Sequence, residues 1–72
     1  MATLLTTDGE FEYQWASDVG FAGVRLEVLS GDGTVLFDIS IPERGDLTIN
    51  TFCNEIAANL IAAAIDAARE RK

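Results

Sequence analysis

Three groups of side chains in this 72-residue chain are equipped for chemistry. The first is Cys53, the sole cysteine. A thiolate near a helix N-terminus can be activated by the helix dipole. It would still need a base, and the chain has no histidine and no lysine before Lys72. Cys53 is therefore read as a small buried hydrophobe beside Ile56 and Leu60. The second group is acidic: Glu10 and Glu12 share one strand face, with Glu27 and Asp38 close by across the sheet. Grouped carboxylates can act as acid/base pairs or hold a hard cation. Such sites draw ligands from loops into a cleft, whereas these acids alternate along an open face, so an ordinary wet surface is expected. The third group, Phe11, Tyr13 and Trp15, is an aromatic stripe of the kind that stacks bases in single-strand binders. Its flanking residues are Glu10, Glu12 and Gln14, which repel a nucleic-acid strand, so the stripe reads as core.

No phosphate-binding loop, dinucleotide fingerprint, nucleophile elbow or zinc spacing occurs. Ser30-Gly31-Asp32-Gly33 lacks the downstream acids of a calcium loop and is read as turn chemistry. The expectation is a chain with no catalytic residues, no cofactor and no metal.

The elements that position these residues follow from periodicity. Asp8-Gly9 is a strong hairpin signal. Pairing outward from it sets Thr6 opposite Phe11, Leu4 opposite Tyr13 and Ala2 opposite Trp15. Ser17–Gly23, with Asp18, Gly20 and Gly23 as breakers, connects to a second hairpin. There Val24, Leu26 and Val28 alternate with Arg25 and Glu27, and Val35, Phe37, Ile39 and Ile41 alternate with Leu36, Asp38 and Ser40. A Gly31-Asp32 loop would pair Leu26 with Phe37 and Arg25 with Asp38, a favourable charge pair. An Asp32-Gly33 loop has better turn chemistry but opposes Glu27 and Asp38. Charge favours the first register, and both bury the same residues. Pro42 ends the fourth strand, and Glu43–Asp46 is an exposed turn.

From Thr48 onward the apolar period becomes helical. Ile49, Phe52, Cys53, Ile56, Leu60, Ala63, Ala64 and Ala67 fall on one face, with Thr48 or Asn50 as N-cap and Arg69, Arg71 and Lys72 in the last turn. The fold expected is α+β and two-layered: a four-stranded antiparallel meander (ββββα) with one long helix on its apolar face. Strands fall at about 2–7, 10–16, 22–30 and 34–41 and the helix at about 48–70, in a single domain over 1–72.

Ile61 and Ile65 stand roughly 100–140° from the centre of that helix face, where a surface helix carries charge. With Ala57, Ala58 and Ala68 beside them they form a candidate interface. A chain this small buries only about 60% of its unfolded surface and commonly needs a staple. One cysteine excludes an internal disulfide and the missing histidine disfavours a metal, which leaves oligomerisation.

The net charge is −7, and residues 1–68 hold two basic residues against eleven acids, a net of −9. Such a surface excludes nucleic acid and anionic membrane as partners. The N-terminus reads as lacking a secretory signal, and no apolar run approaches the ~20 residues that span a bilayer. A cytoplasmic chain is expected. The function expected is a small non-enzymatic interaction module, a homodimer through the C-terminal helix. The alternative is an acidic inhibitor or nucleic-acid mimic that offers Glu10, Glu12, Glu27 and Asp38 to a basic groove on a protein partner.

Overall fold

The computed structural model describes residues 2–17 and 19–71. Asp18, named above as a loop breaker, and Lys72, named in the last helical turn, lie outside the described residues. The strands are β1 (Ala2–Thr6), β2 (Gly9–Ala16), β3 (Gly23–Leu29), β4 (Val35–Pro42) and β5 (Thr48–Asn50), followed by one helix, α1 (Ala58–Arg71). All strand pairs are antiparallel and neighbours in sequence are neighbours in space, β1-β2-β3-β4-β5. The α+β meander is as expected, with a fifth strand added.

Alternation along β3 and β4 sends Leu26, Val28, Phe37 and Ile39 to the helix-covered face, where each is essentially inaccessible to solvent. Leu60, Ala64 and Ala68 of α1 close over them, with Leu4 from β1 and Ile41 from β4 completing the core. The three helix residues recur every fourth position, one face of a 3.6-residue helix. Alanine at two of them lets the helix backbone lie close to the sheet.

Both hairpin registers differ from those expected. In the first, Leu4 opposes Phe11 and Thr6 opposes Gly9, so the loop is Thr7-Asp8 and Gly9 begins β2 at φ 127°. The Thr6 side chain sets this: its Oγ1 accepts the Asp8 N–H at 3.0 Å and donates to the Gly9 carbonyl at 3.2 Å. Partners move by two positions, so the same side chains face the helix. In the second hairpin Glu27 opposes Asp38 and Leu26 opposes Ile39. Turn chemistry therefore prevails over charge pairing. Asp32 accepts the Ser30 hydroxyl and, at 3.0 Å, the Thr34 N–H. The Gly33 N–H donates to the Ser30 carbonyl at 3.0 Å with Gly33 at φ 88°. A register shift between Val28 and Leu29 absorbs the odd residue.

The largest correction concerns 48–57, which is not helical. Thr48–Asn50 pairs with Asp38–Ser40 as an edge strand. The Asn50 carboxamide then accepts the Phe52 N–H at 3.0 Å, an Asx turn rather than a helix cap. Phe52 and Cys53 follow in the left-handed region at φ 53° and 65°. Asn54 donates through its side chain to the Leu36 carbonyl at 2.9 Å, and Asn59 donates to the Thr7 hydroxyl at 3.0 Å. The chain thus leaves β5, passes the start of β4 and begins its helix beside β1. Four strand spacings make that crossing roughly 19 Å. Seven non-helical residues span at most about 24 Å, a reach the Thr51–Asn54 turn shortens, but seven helical ones span only about 10 Å. An early helix would leave the chain short of its docking position.

Candidate interaction surface

The sheet face turned away from α1 carries the acids singled out above, and they separate into two pairs. Glu10 and Glu12 lie on β2 near the first turn and are exposed. Glu27 and Asp38 form a directly opposed pair in the middle of the sheet, flanked by Gln14 on β2 and Asn50 on β5. Gln14 Nε2 donates to Glu27 Oε1 at 2.7 Å. Asp38 is only 9% exposed, and burial raises its carboxyl above the ordinary 3.8, with Arg25 opposing the shift and Glu27 adding to it. Of the four residues, only Glu10 and Glu12 are fully offered to a basic partner. No group of three or more Asp, Glu or Cys among the described residues is arranged to hold a metal ion.

The aromatic stripe is partly core. Phe11 and Tyr13 pack against the buried cluster, and Tyr13 meets Trp15 edge-to-face with ring centroids 5.9 Å apart. Trp15 remains 37% exposed beneath the last turn of α1, where the Arg71 guanidinium lies 4.9 Å from its ring centroid. Cys53 is exposed, a correction that follows directly from the left-handed turn it occupies.

The shorter helix also re-centres the candidate interface. With Ile49, Phe52 and Cys53 outside the helix, its buried face centres on Ala64. Ile61 and Ile65 then lie roughly 60° and 100° from that centre. Both are half-buried flank residues packed against the core. Ala68 is fully buried in the core, while Ala57 and Ala58 are exposed around the helix start.

What the helix leaves uncovered lies beside Ile65. Helix α1 packs on β1, β3 and β4 and does not reach over β5. A groove of about 660 Å³ opens there, with Ile39 as floor, Leu47, Ile49 and Ile65 as apolar walls, and Asp46 and Arg69 among its lining. Ile49 is 43% exposed and Phe52, just past the end of β5, 48%. The outer edge of β5 also presents backbone N–H and C=O groups that no neighbouring strand satisfies. Ile49 and Phe52 were missed as surface residues because their spacing mimics a helical face. The available signal was β-branched Thr48-Ile49 followed by Asn50 two residues before Phe52, a strand running into an Asx turn.

No family model matches the chain, and no curated protein or solved structure matches it at a significant level.

Proposed function

We propose that this chain is a non-enzymatic protein-interaction module whose working surface is the uncovered face between α1 and β5. One observation carries the reading: an apolar groove lies against an open sheet edge, with Ile49 and Ile65 on opposite walls. A partner segment can satisfy the backbone of such an edge while placing apolar side chains into the groove, the logic of strand addition. The charge distribution supports it. Leu47–Asn54 and Ile56–Ile65 contain no charged residue, in a chain whose residues are 24% charged. A partner on this surface meets mainly uncharged residues, with Asp46 and Arg69 the charged members of the groove lining.

Retention of a partner on immobilised chain, the chain itself included as a candidate, tests this. Ile65→Glu should abolish retention, because it sets a carboxylate in the groove wall, while leaving the far-ultraviolet circular dichroism spectrum unchanged. A Glu10→Lys, Glu12→Lys double variant should retain the partner. Loss in the double variant with retention by Ile65→Glu would overturn the reading in favour of the acidic face.

A further inference from the structure

The geometry points to a second site, independent of the groove: the row Gln14–Glu27–Asp38–Asn50, on the sheet face turned away from α1, seats one arginine side chain of a partner protein. The row is built by register. Gln14 opposes Glu27, Glu27 opposes Asp38 and Asp38 opposes Asn50, so two carboxylates stand side by side between two carboxamides. The turn that Asp32 holds is what sets Glu27, rather than Arg25, against Asp38. Arg25 opposes Ser40 instead, and its guanidinium lies over the Phe21 ring, 4.3 Å from the centroid.

The two carboxylates are unequally provided for. Gln14 Nε2 donates to Glu27 Oε1 at 2.7 Å. At the other end of the row, the Asn50 carboxamide oxygen is committed to the Phe52 N–H. Among the described residues none donates a hydrogen bond to Asp38, although Asp38 is only 9% exposed. A carboxylate so far removed from water without a donor is costly, and its free acceptor capacity marks a place for a ligand. The way in is open. No side-chain oxygen of a buried or half-buried described residue is both sealed from solvent and unpartnered, so the exposure Asp38 keeps includes its carboxylate oxygens.

The opening selects among cations. Calcium and magnesium take about six or more oxygen ligands, and no three acidic side chains among the described residues converge on one point. An ammonium would have to shed a tightly held water shell to reach a nearly buried group. A guanidinium is planar and weakly hydrated. Its fork of donors can bond Asp38 with one nitrogen and the second oxygen of Glu27 with another. A net charge of −7 draws basic protein surfaces, and arginine is the charged residue enriched at interface cores.

The test titrates the full chain with acetyl-argininamide at neutral pH while side-chain carboxyl carbons are followed by NMR. Saturable shifts should appear at Asp38 and Glu27 and at the Gln14 side-chain amide, and exposed Glu10 and Glu12 should barely move. Acetyl-lysinamide should bind more weakly. Asp38→Asn should lower affinity for the arginine probe about tenfold or more, the worth of one charge-assisted hydrogen bond. Its circular dichroism spectrum should match that of wild type, so that the loss is one of binding. Glu10→Gln removes the same charge from the same face and should leave the affinity within about twofold, because solvent screens an exposed acid. No saturable shift at the pair, or equal losses in the two variants, overturns the site. Lysine probe binding as tight as the arginine probe overturns the choice of guanidinium.

Discussion

Asp38→Asn should stabilise the protein at neutral pH. The register observed opposes Asp38 to Glu27, and Asp38 is 9% exposed. Side chains of a directly opposed pair stand about 5 Å apart at Cβ. Two unit charges roughly 6 Å apart at an effective dielectric constant of about 40 repel by roughly 1.4 kcal/mol. Arg25 opposes the effect, so part of that repulsion is offset. In the unfolded chain the repulsion disappears, and asparagine preserves the shape of the side chain. The expected gain is about 1 kcal/mol, which for a domain of this size is roughly 4–8 °C in Tm.

The pH dependence gives this prediction its edge. Burial raises the Asp38 carboxyl above its ordinary 3.8, so the folded state binds that proton more tightly than the unfolded chain does. Such a group contributes stability that is full below its unfolded value and is lost as pH rises through the raised folded value. The advantage of Asp38→Asn over wild type should therefore be largest near neutrality. It should shrink as pH falls and vanish below about 3.8, where wild-type Asp38 is neutral as well. Urea titrations of both proteins at a series of pH values read the difference directly. A destabilised variant at neutral pH, or an advantage that stays constant into acid, would refute a carboxylate held against its own charge.

Three further substitutions test the start of β3 and the turn between β3 and β4. A Cβ at Gly23 would lie 2.2 Å from the Ile41 carbonyl oxygen and 2.8 Å from the Pro42 Cα, with φ at +147°. Gly23→Ala should cost upward of about 3 kcal/mol in thermal or urea unfolding, enough to unfold much of a small domain. Gly31→Ala meets nothing within 4 Å and should be neutral or slightly stabilising. Asp32 is held at about 2 by the Ser30 hydroxyl and then by Thr34, below its ordinary 3.8. Its contribution is therefore present above 3.8 and lost as pH falls through about 2. Asp32→Ala should lower Tm at neutral pH, with the difference closing in that acid window.

The strands were legible because a period of two is hard to imitate: β2, β3 and β4 alternate cleanly, and their bounds fall within about two residues of expectation. Register was less legible, because the deciding interactions are single side-chain hydrogen bonds. Thr6 selects the first loop, and Asp32 selects the second against an unfavourable charge pair. Neither choice changes which residues are buried, so the core was readable where the pairing was not.

Helix overcount and misplaced interface share one cause. Ile49, Phe52, Cys53 and Ile56 match a helical face by spacing alone, and periodicity carries no information about where the chain has to travel. The crossing from β5 to β1 needs non-helical chain, and the segment 51–57 supplies it, with the Asn50 side chain and left-handed Phe52 and Cys53 turning the chain out of β5. Removing those residues from the helix does not remove their apolar surface. It transfers that surface to the edge of the sheet, where Ile49 remains exposed beside the Ile65 flank of α1 and Phe52 remains exposed past the end of β5. The apolar excess in the last third of the chain is therefore an edge property more than a helix property. That shift also changes what can bind. A bare helix flank would accept any apolar surface, whereas an edge strand with a groove beside it imposes direction and register on its partner through backbone hydrogen bonds.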